Sequence, residues 1–397
     1  MMIKNIYEFR GSSSKHLERF MRSKHSTVHE LIENYRSKDN LVKFSNQLVK
    51  QISYRLKETP IIAHQNIDGN IKIVRYHSRN LITPLVDDVI STDLTGTNCI
   101  MTNSNEEALQ VTGLLLNNGY PAKLIQSNDG FSLYNLDEVR YFLNLLDFSD
   151  DTYTINGDTW ANAKRELLFR YRNSNRFEVI ENIIKNFETI NTKIKYKSDL
   201  ESFIRESNLE DFISENNETI LVSTIHKTKG KEFDNVFLML DNFNYSTDER
   251  KRLLYVATTR AKTNLTIHLN SNYLDNIIAN NLSRIENTEQ YQPSNELVLH
   301  LSFKDVWLDY FAKQQYNISK LISGDSLKVQ ESGCFDQKGN QVLKFSRKGL
   351  SEIEKLKSSN YILKKAKINF IVYWKKEDSD TEIKIILPEL YFERNNR

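Results

Sequence analysis

The densest run of chemistry-bearing residues is Thr224-Ile225-His226-Lys227-Thr228-Lys229-Gly230-Lys231-Glu232-Phe233, directly after an apolar, strand-like segment. A strand end opening into hydroxyls, an imidazole, lysines and a glycine can set backbone N–H groups and cations against phosphate. Soon after comes Glu249-Arg250-Lys251-Arg252-Leu253-Leu254-Tyr255-Val256-Ala257-Thr258-Thr259-Arg260-Ala261-Lys262, whose LLYVA stretch is an apolar helix face flanked by Arg250, Arg260 and Lys262. Arginine suits phosphate because its planar fork donates two parallel hydrogen bonds and keeps its charge inside a cleft. Two shorter segments add to these: Asn5-Ile6-Tyr7-Glu8-Phe9-Arg10-Gly11 and Asn34-Tyr35-Arg36-Ser37. Taken singly, each has an ordinary reading. A basic helix is a solvated face, Tyr35 and Phe9 are core aromatics, His226 is a satisfied loop histidine, and Glu232 is a helix-start carboxylate.

The surrounding pattern says what must position them. Asp39 caps a helix whose Leu41, Phe44, Leu48, Val49, Ile52 and Leu56 follow the helical period, stopped at Thr59-Pro60. A strand over Asn70–His77 follows the turn at Asp68-Gly69. Cys99–Met101, a helix capped by Asn105 and ended by Gly119, and Ala122–Ile125 make one strand–helix–strand unit. Thr219–Thr224, Val236–Leu240, the LLYVA helix and Asn264–Leu269 make a second. The prediction is an α/β fold: a parallel-sheet domain in two parts, 1–149 and 217–270, with a charged helical insertion at 150–216. Residues 271–296, poor in large apolar runs, read as a linker. Residues 297–397 read as a small, separate β-rich domain with one helix near Phe303–Gln314 and a turn at Lys338-Gly339-Asn340.

Composition narrows the class. Lys+Arg 54 against Asp+Glu 52 gives +2, which excludes a histone-like polycation or an acidic tail but not local basic patches. Cys99 and Cys334 stand far apart, which excludes a disulfide scaffold or a cysteine-rich zinc site and suits a reducing cytoplasm. No apolar run is long enough for a membrane span, so no membrane partner is expected. The N-terminus has no apolar core of a signal peptide. Aromatic content of 11% with few glycines and prolines speaks for an ordered chain.

Together and in this order, the four segments resemble the motifs of superfamily 1 DNA helicases of the UvrD/Rep/PcrA type. Asn5–Gly11 matches motif III, Asn34–Ser37 motif IV, Thr224–Phe233 motif V and Glu249–Lys262 motif VI. The resemblance covers about Asn5 to Leu269 and implies a RecA-like second motor domain with a reduced 2B-like insertion. It implies that Arg36 and Arg260 are arginine fingers on a transferring γ-phosphate, a role worth about 10³–10⁵ in rate in other systems. Tyr35 would stack on adenine, with Glu232 accepting from the ribose and Gly230 in the nucleotide loop. Phe9, Arg10, Thr224, His226 and Lys227 would contact single-stranded DNA. Aromatic stacking on bases, about 1–3 kcal/mol each, is sequence-tolerant. The implied cofactor is ATP with Mg2+. The implied setting is DNA repair in the cytoplasm. The tail is also similar to those of large bacterial proteins that join a RecQ-type helicase to a UvrD-like C-terminal part.

The pattern is incomplete. A P-loop needs two glycines five apart followed by Lys-Ser/Thr, and no two glycines here have that spacing. No strand-end Asp-Glu pair is present to hold magnesium, so no metal ligand is assigned. Met1-Met2-Ile3-Lys4 stands where the family carries an acidic run and a glutamine. The expectation is therefore a C-terminal motor part that contacts single-stranded or duplex DNA, inactive alone, whose P-loop comes from an N-terminal helicase half. The alternative is a non-catalytic DNA-binding or assembly module. In the tail, Asp380-Thr381-Glu382-Ile383-Lys384 mimics a nuclease's D…E-x-K pattern, but its alternation is that of any half-exposed strand.

Overall fold

The computed structural model describes residues 19, 21, 23, 26, 27, 29–53, 55, 57, 59–93, 95–125, 131–146, 148, 152–212, 219–228, 230–377 and 379–395. Phe9, Arg10 and Lys229 lie outside the described residues. The chain divides into two units, residues 1–125 with 215–294 and residues 126–214 with 295–397.

The first unit begins with β1 (Glu33–Asn34), α1 (Asp39–Lys50) and β2 (Ile62–Ala63), the two short strands pairing in parallel. Leu41, Phe44, Leu48 and Val49 of α1 recur at helical spacing and are all buried. Lys38, not Asp39, occupies the N-cap. Asp39 lies in the first turn, where its charge opposes the helix dipole and pairs with Lys43 at 2.5 Å. Next come β3 (Asn70–Tyr76), α2 (Ile82–Ser91), β4 (Asn98–Thr102), α3 (Asn105–Asn117) and β5 (Ala122–Leu124). Ser104 rather than Asn105 caps α3. Its hydroxyl accepts from Glu107 N at 3.2 Å while the Glu107 carboxylate accepts from Ser104 N at 2.8 Å. Gly119, at φ +80°, terminates the helix.

After four helices of the second unit, α4 (Asp137–Leu145), α5 (Gly157–Tyr171), α6 (Phe177–Ile190) and α7 (Lys197–Glu206), the chain returns to the first unit. There it adds β6 (Ile220–Thr224), β7 (Phe233–Leu240), α8 (Asp248–Thr258), β8 (Ala261–Leu269) and β9 (Leu282–Asn287). The seven-stranded sheet runs β5-β6-β4-β7-β8-β3-β9 and every neighbouring pair is parallel. β4 and β6 are buried along their whole length, as strands covered on both faces must be. On one face α2 and α3 pack on Val74, Ile100, Val222, Phe237 and Met239. The alternate residues Ile73, Met101, Leu238, Leu265 and Ile267 are buried on the other, where α1 and α8 lie against each other and against the sheet. β9 falls inside the stretch that reads as a linker. It is an edge strand pairing only with β3, largely exposed, so its sequence carries little apolar signal.

The second unit completes itself with β10 (Glu296–His300), β11 (Ser326–Gln330), β12 (Gly333–Phe335), β13 (Gln341–Lys344), α9 (Arg347–Ser358), β14 (Tyr361–Lys375) and β15 (Glu382–Arg394). Its sheet is antiparallel in the order β10-β15-β14-β11-β12-β13. The turn at Lys338-Gly339-Asn340 joins β12 to β13: Gly339 takes φ +88° and the Asp336 carboxylate accepts from Lys338 N and Asn340 N at 2.9 and 2.8 Å. The helix expected near Phe303–Gln314 is a 3-10 turn over Leu308–Lys313, whereas α9 has no counterpart in the sequence reading. The insertion and the β-rich region, read as separate parts, share one core in which Trp160 and Ile183 join Val342, Ile371 and Ile386, and Phe142 of α4, in the stretch read as parallel-sheet domain, belongs to it too. Each presents one apolar face, and each face covers the other.

The nuclease-like residues hold this unit together. Lys384 lies 2.6 Å from the buried Asp137 carboxylate and Glu382 2.5 Å from the Arg140 guanidinium, tying β15 to α4. Among the described residues no group of three or more His, Cys, Asp or Glu side chains could hold a metal ion. No helix among them is long and apolar enough to cross a membrane.

Candidate functional site

At the amino ends of β7 and β8 three separate segments are stitched together. The Asn34 side chain accepts from Arg36 N and Ser37 N at 2.8 and 2.9 Å, curling the chain into a tight turn. Ser37 Oγ donates to Ala261 O at 2.8 Å and Lys38 N to Lys262 O at 3.0 Å, anchoring that turn on the start of β8. Arg36 is thereby delivered to Glu232, just before β7, and the two form an ion pair. Gly230, at φ +94°, sits where a side chain would be strained. Next to it, Lys231 N donates to Thr228 O at 3.0 Å.

Arg260 joins this group from the end of α8 but is arranged differently. It is only 1% exposed. Its Nε donates to Val256 O at 3.1 Å, Nη1 to Lys231 O at 3.0 Å and Nη2 to Thr259 Oγ1 at 3.2 Å. Burial first, then the neighbouring Arg36 charge, bring its pKa down to about 10, so it stays cationic at neutral pH. Tyr35 is its opposite, 63% exposed with its ring 4.1 Å from that of His64. Its hydroxyl donates to Glu33, and that bond raises the phenol's pKa.

Thr224, His226 and Lys227 lie elsewhere. Thr224 ends β6, paired in register with Thr102 at the end of β4, and is buried. Residues 225–228 form a 3-10 turn from which Lys227 Nζ donates to Asn105 Oδ1 at 2.8 Å. Arg250 Nη1 donates to Asn103 Oδ1 at 2.8 Å, so it too belongs to the carboxyl ends of the strands. Arg36, Lys227, Arg260 and Lys262 therefore do not line one cleft. β6 and β7 run parallel on either side of β4, so the chain must return from the carboxyl end of β6 to the amino end of β7. Thr228 marks the crossing, with its hydroxyl 3.6 Å from Met101 Sδ. Lys262 is paired with Asp234 at 3.0 Å. Asn103 and Asn105 had no sequence signal beyond helix capping, yet they orient two of the basic side chains.

Residues 148–272 match the family model of the UvrD-like helicase C-terminal domain. Over that stretch, about a third of its length, the chain is similar to this domain family. The match takes in Thr224–Glu232 and Arg260, while Tyr35 and Arg36 lie upstream of it. It associates the chain with helicase-related DNA processing. No curated protein matches. One solved structure that does is the C-terminal domain of a possible DNA helicase from Lactobacillus plantarun WCFS1, 16% identical, covering 63% of this chain and 98% of that one at a TM-score of 0.32.

Proposed function

We propose that this UvrD-like chain is the C-terminal motor part of an ATP-dependent, 3′-to-5′ DNA helicase. The observation that supports it is the convergence of Arg36 and Arg260 on residues 231–232, with the exposed Tyr35 ring adjacent in the chain. In this reading Tyr35 stacks on the adenine and Glu232 and Gly230 border the ribose. Arg36, partly exposed and with its Nε lacking a partner among the described residues, turns toward a γ-phosphate. Arg260 holds the Lys231 carbonyl and with it the loop, and adds a second positive charge. Thr224, His226 and Lys227, at the far end of the same segment, contact single-stranded DNA, joined by Phe9 and Arg10. Bound ATP with Mg2+ supplies the phosphoryl group to be transferred. The residues present suit one side of that nucleotide. They offer neither a P-loop nor carboxylates for the metal, so a P-loop-bearing N-terminal half is the partner this reading requires.

The test mixes the purified chain with a P-loop-bearing N-terminal half of the same family and measures ATP hydrolysis with and without single-stranded DNA. The chain alone should show no DNA-stimulated hydrolysis, and the mixture should. Arg36→Ala should abolish the gain. Hydrolysis by the chain alone would overturn the reading. The burial of Arg260, with its guanidinium committed to Val256, Lys231 and Thr259, favours a second reading, a non-catalytic DNA-binding or assembly module. That reading predicts DNA binding in the chain alone and no hydrolysis in any mixture.

A further inference from the structure

On the sheet face opposite α1 and α8, four asparagines stand in one register row: Asn70 of β3, Asn264 of β8, Asn235 of β7 and Asn98 of β4. Asparagine is depleted in strands, and four abreast in a parallel sheet call for a reason. Their carboxamides form a head-to-tail ladder. Asn70 Nδ2 donates to Asn264 Oδ1 at 2.9 Å, Asn264 Nδ2 to Asn235 Oδ1 at 2.6 Å, and Asn235 Nδ2 to Asn98 Oδ1 at 2.8 Å. The next row on the same face is Ser283, Lys72, Thr266 and Phe237. α2 and α3 cover the carboxyl half of this face. Over these two rows they leave a cavity of about 660 Å³, closed at one side by Thr92 and Asp93 beyond the end of α2.

The donor set defines what would fit. Each carboxamide has two N–H donors and a carbonyl with two lone pairs, so Asn70 and Asn264 each keep an N–H outside the ladder. Asn70 also keeps its carbonyl, and Thr266 adds a hydroxyl with no partner among the described residues. The charges are balanced or committed: Lys72 is paired with Asp88, and Asp93 stands at the wall. A phosphate would meet one neutralised ammonium and a carboxylate. A neutral ring with a donor–acceptor edge would meet matching amides, the same pairing by which asparagine reads a base edge. The volume is that of a small-ligand site. We propose that this cavity is a binding site for an uncharged nucleobase, presented as a nucleoside or an unstacked base.

The proposal stands apart from the motor reading, because the cavity opens on the sheet face that α2 and α3 cover and is not lined by Tyr35, Arg36 or Arg260, the last held by Val256 of α8 on the other face. The experiment uses the full chain carrying Tyr35→Ala, so that stacking on that exposed ring cannot be the signal. Adenosine is titrated by calorimetry and by amide chemical shifts. Saturable binding is expected. Asn70→Ala and Thr266→Val, each at an exposed or partly exposed polar position, should weaken it about fivefold or more with an unchanged melting temperature, the effect of one lost hydrogen bond. Adenosine 5′-monophosphate should bind no tighter than adenosine. No saturable binding, equal affinity in both variants, or a marked preference for the monophosphate would each overturn the proposal.

Discussion

Arg36 and Glu232 form an ion pair whose side chains remain 30% and 34% exposed, while Arg260 beside them is 1% exposed and bonded through all of its nitrogens. Neighbouring cations thus have opposite relations to stability. An exposed pair is worth about 0–1 kcal/mol, because water and salt screen it. Arg36→Ala should therefore cost no more than about 1 kcal/mol of unfolding free energy. Arg260→Ala takes from the Lys231 carbonyl its guanidinium donor and empties a buried site, and should cost roughly 1–3 kcal/mol or more. Urea unfolding followed by circular dichroism decides it, and equal losses for the two variants would contradict this division of labour.

A second contrast lies in the core of the same unit. His268 is fully buried, with Nδ1 2.9 Å from the Tyr76 hydroxyl and Nε2 3.2 Å from Asp88 Oδ2. Burial holds its pKa below the usual value even though Asp88 pulls the other way. The unfolded chain takes up this proton below about pH 6.5 and the folded chain only at lower pH. Stability present above about pH 6.5 should therefore be lost as pH falls below it. The urea midpoint should drop between about pH 7 and pH 5, less steeply in His268→Gln. A flat profile in the parent chain would sink the idea. Asp88, whose own pKa is lowered, acts in a more acidic window and does not mask the effect.

Much of the first unit can be read from sequence because parallel strands covered on both faces are continuous apolar runs. Ile220–Thr224 and Val236–Leu240 announce themselves in that way. Boundaries are less legible, since Asp39 and Ser104 are both good caps and only the backbone decides which position each takes. β9 was hidden because an edge strand has little to bury. The shared core of α4–α7 and the C-terminal sheet was hidden because chain order separates its halves by the whole of β6 to β9. In the candidate site, residue types pointed to Arg36, Glu232 and Arg260 but not to their different burial. That depends on Val256 and Lys231 carbonyls, which carry no sequence signature.

Gly69 shows the same gap between a feature and its cause. The sequence marks it as a turn glycine after Asp68. A Cβ there would lie 2.0 Å from Thr263 O, so the residue is needed because β8 passes against it. Its N–H and C=O are both held by the Asn40 side chain at 2.8 Å, leaving no room to shift. Gly69→Ala should destabilise the first unit by about 1–3 kcal/mol, the usual cost of overpacking. Alanine at Gly119, where no atom lies within contact range of a Cβ, provides the comparison for conformational strain alone. Thermal melts in which Gly69→Ala is as stable as the parent would show that the backbone yields.

The last prediction concerns a carboxyl the fold keeps away from water. Glu138, at the start of α4, is fully buried, and Ser174 Oγ donates to its Oε1 at 2.7 Å. Burial raises its pKa and the nearby Asp137 adds to the rise, against the opposing pull of its hydrogen bonds. The folded chain therefore binds this proton more tightly than the unfolded chain, whose glutamate ionises above about pH 4.3. Stability fully present below that pH should be lost progressively as pH rises toward the folded pKa. Glu138→Gln keeps the shape and a carbonyl acceptor for Ser174 but has no proton to lose. At pH 5 the variant and the parent should melt within a few degrees of each other. At pH 8 the variant should be the more stable, because the parent must either hold a proton against solvent or bury a charge. A parent that gains stability relative to Glu138→Gln as pH rises would mean that the carboxylate is ionised in the core and that a buried cation balances it.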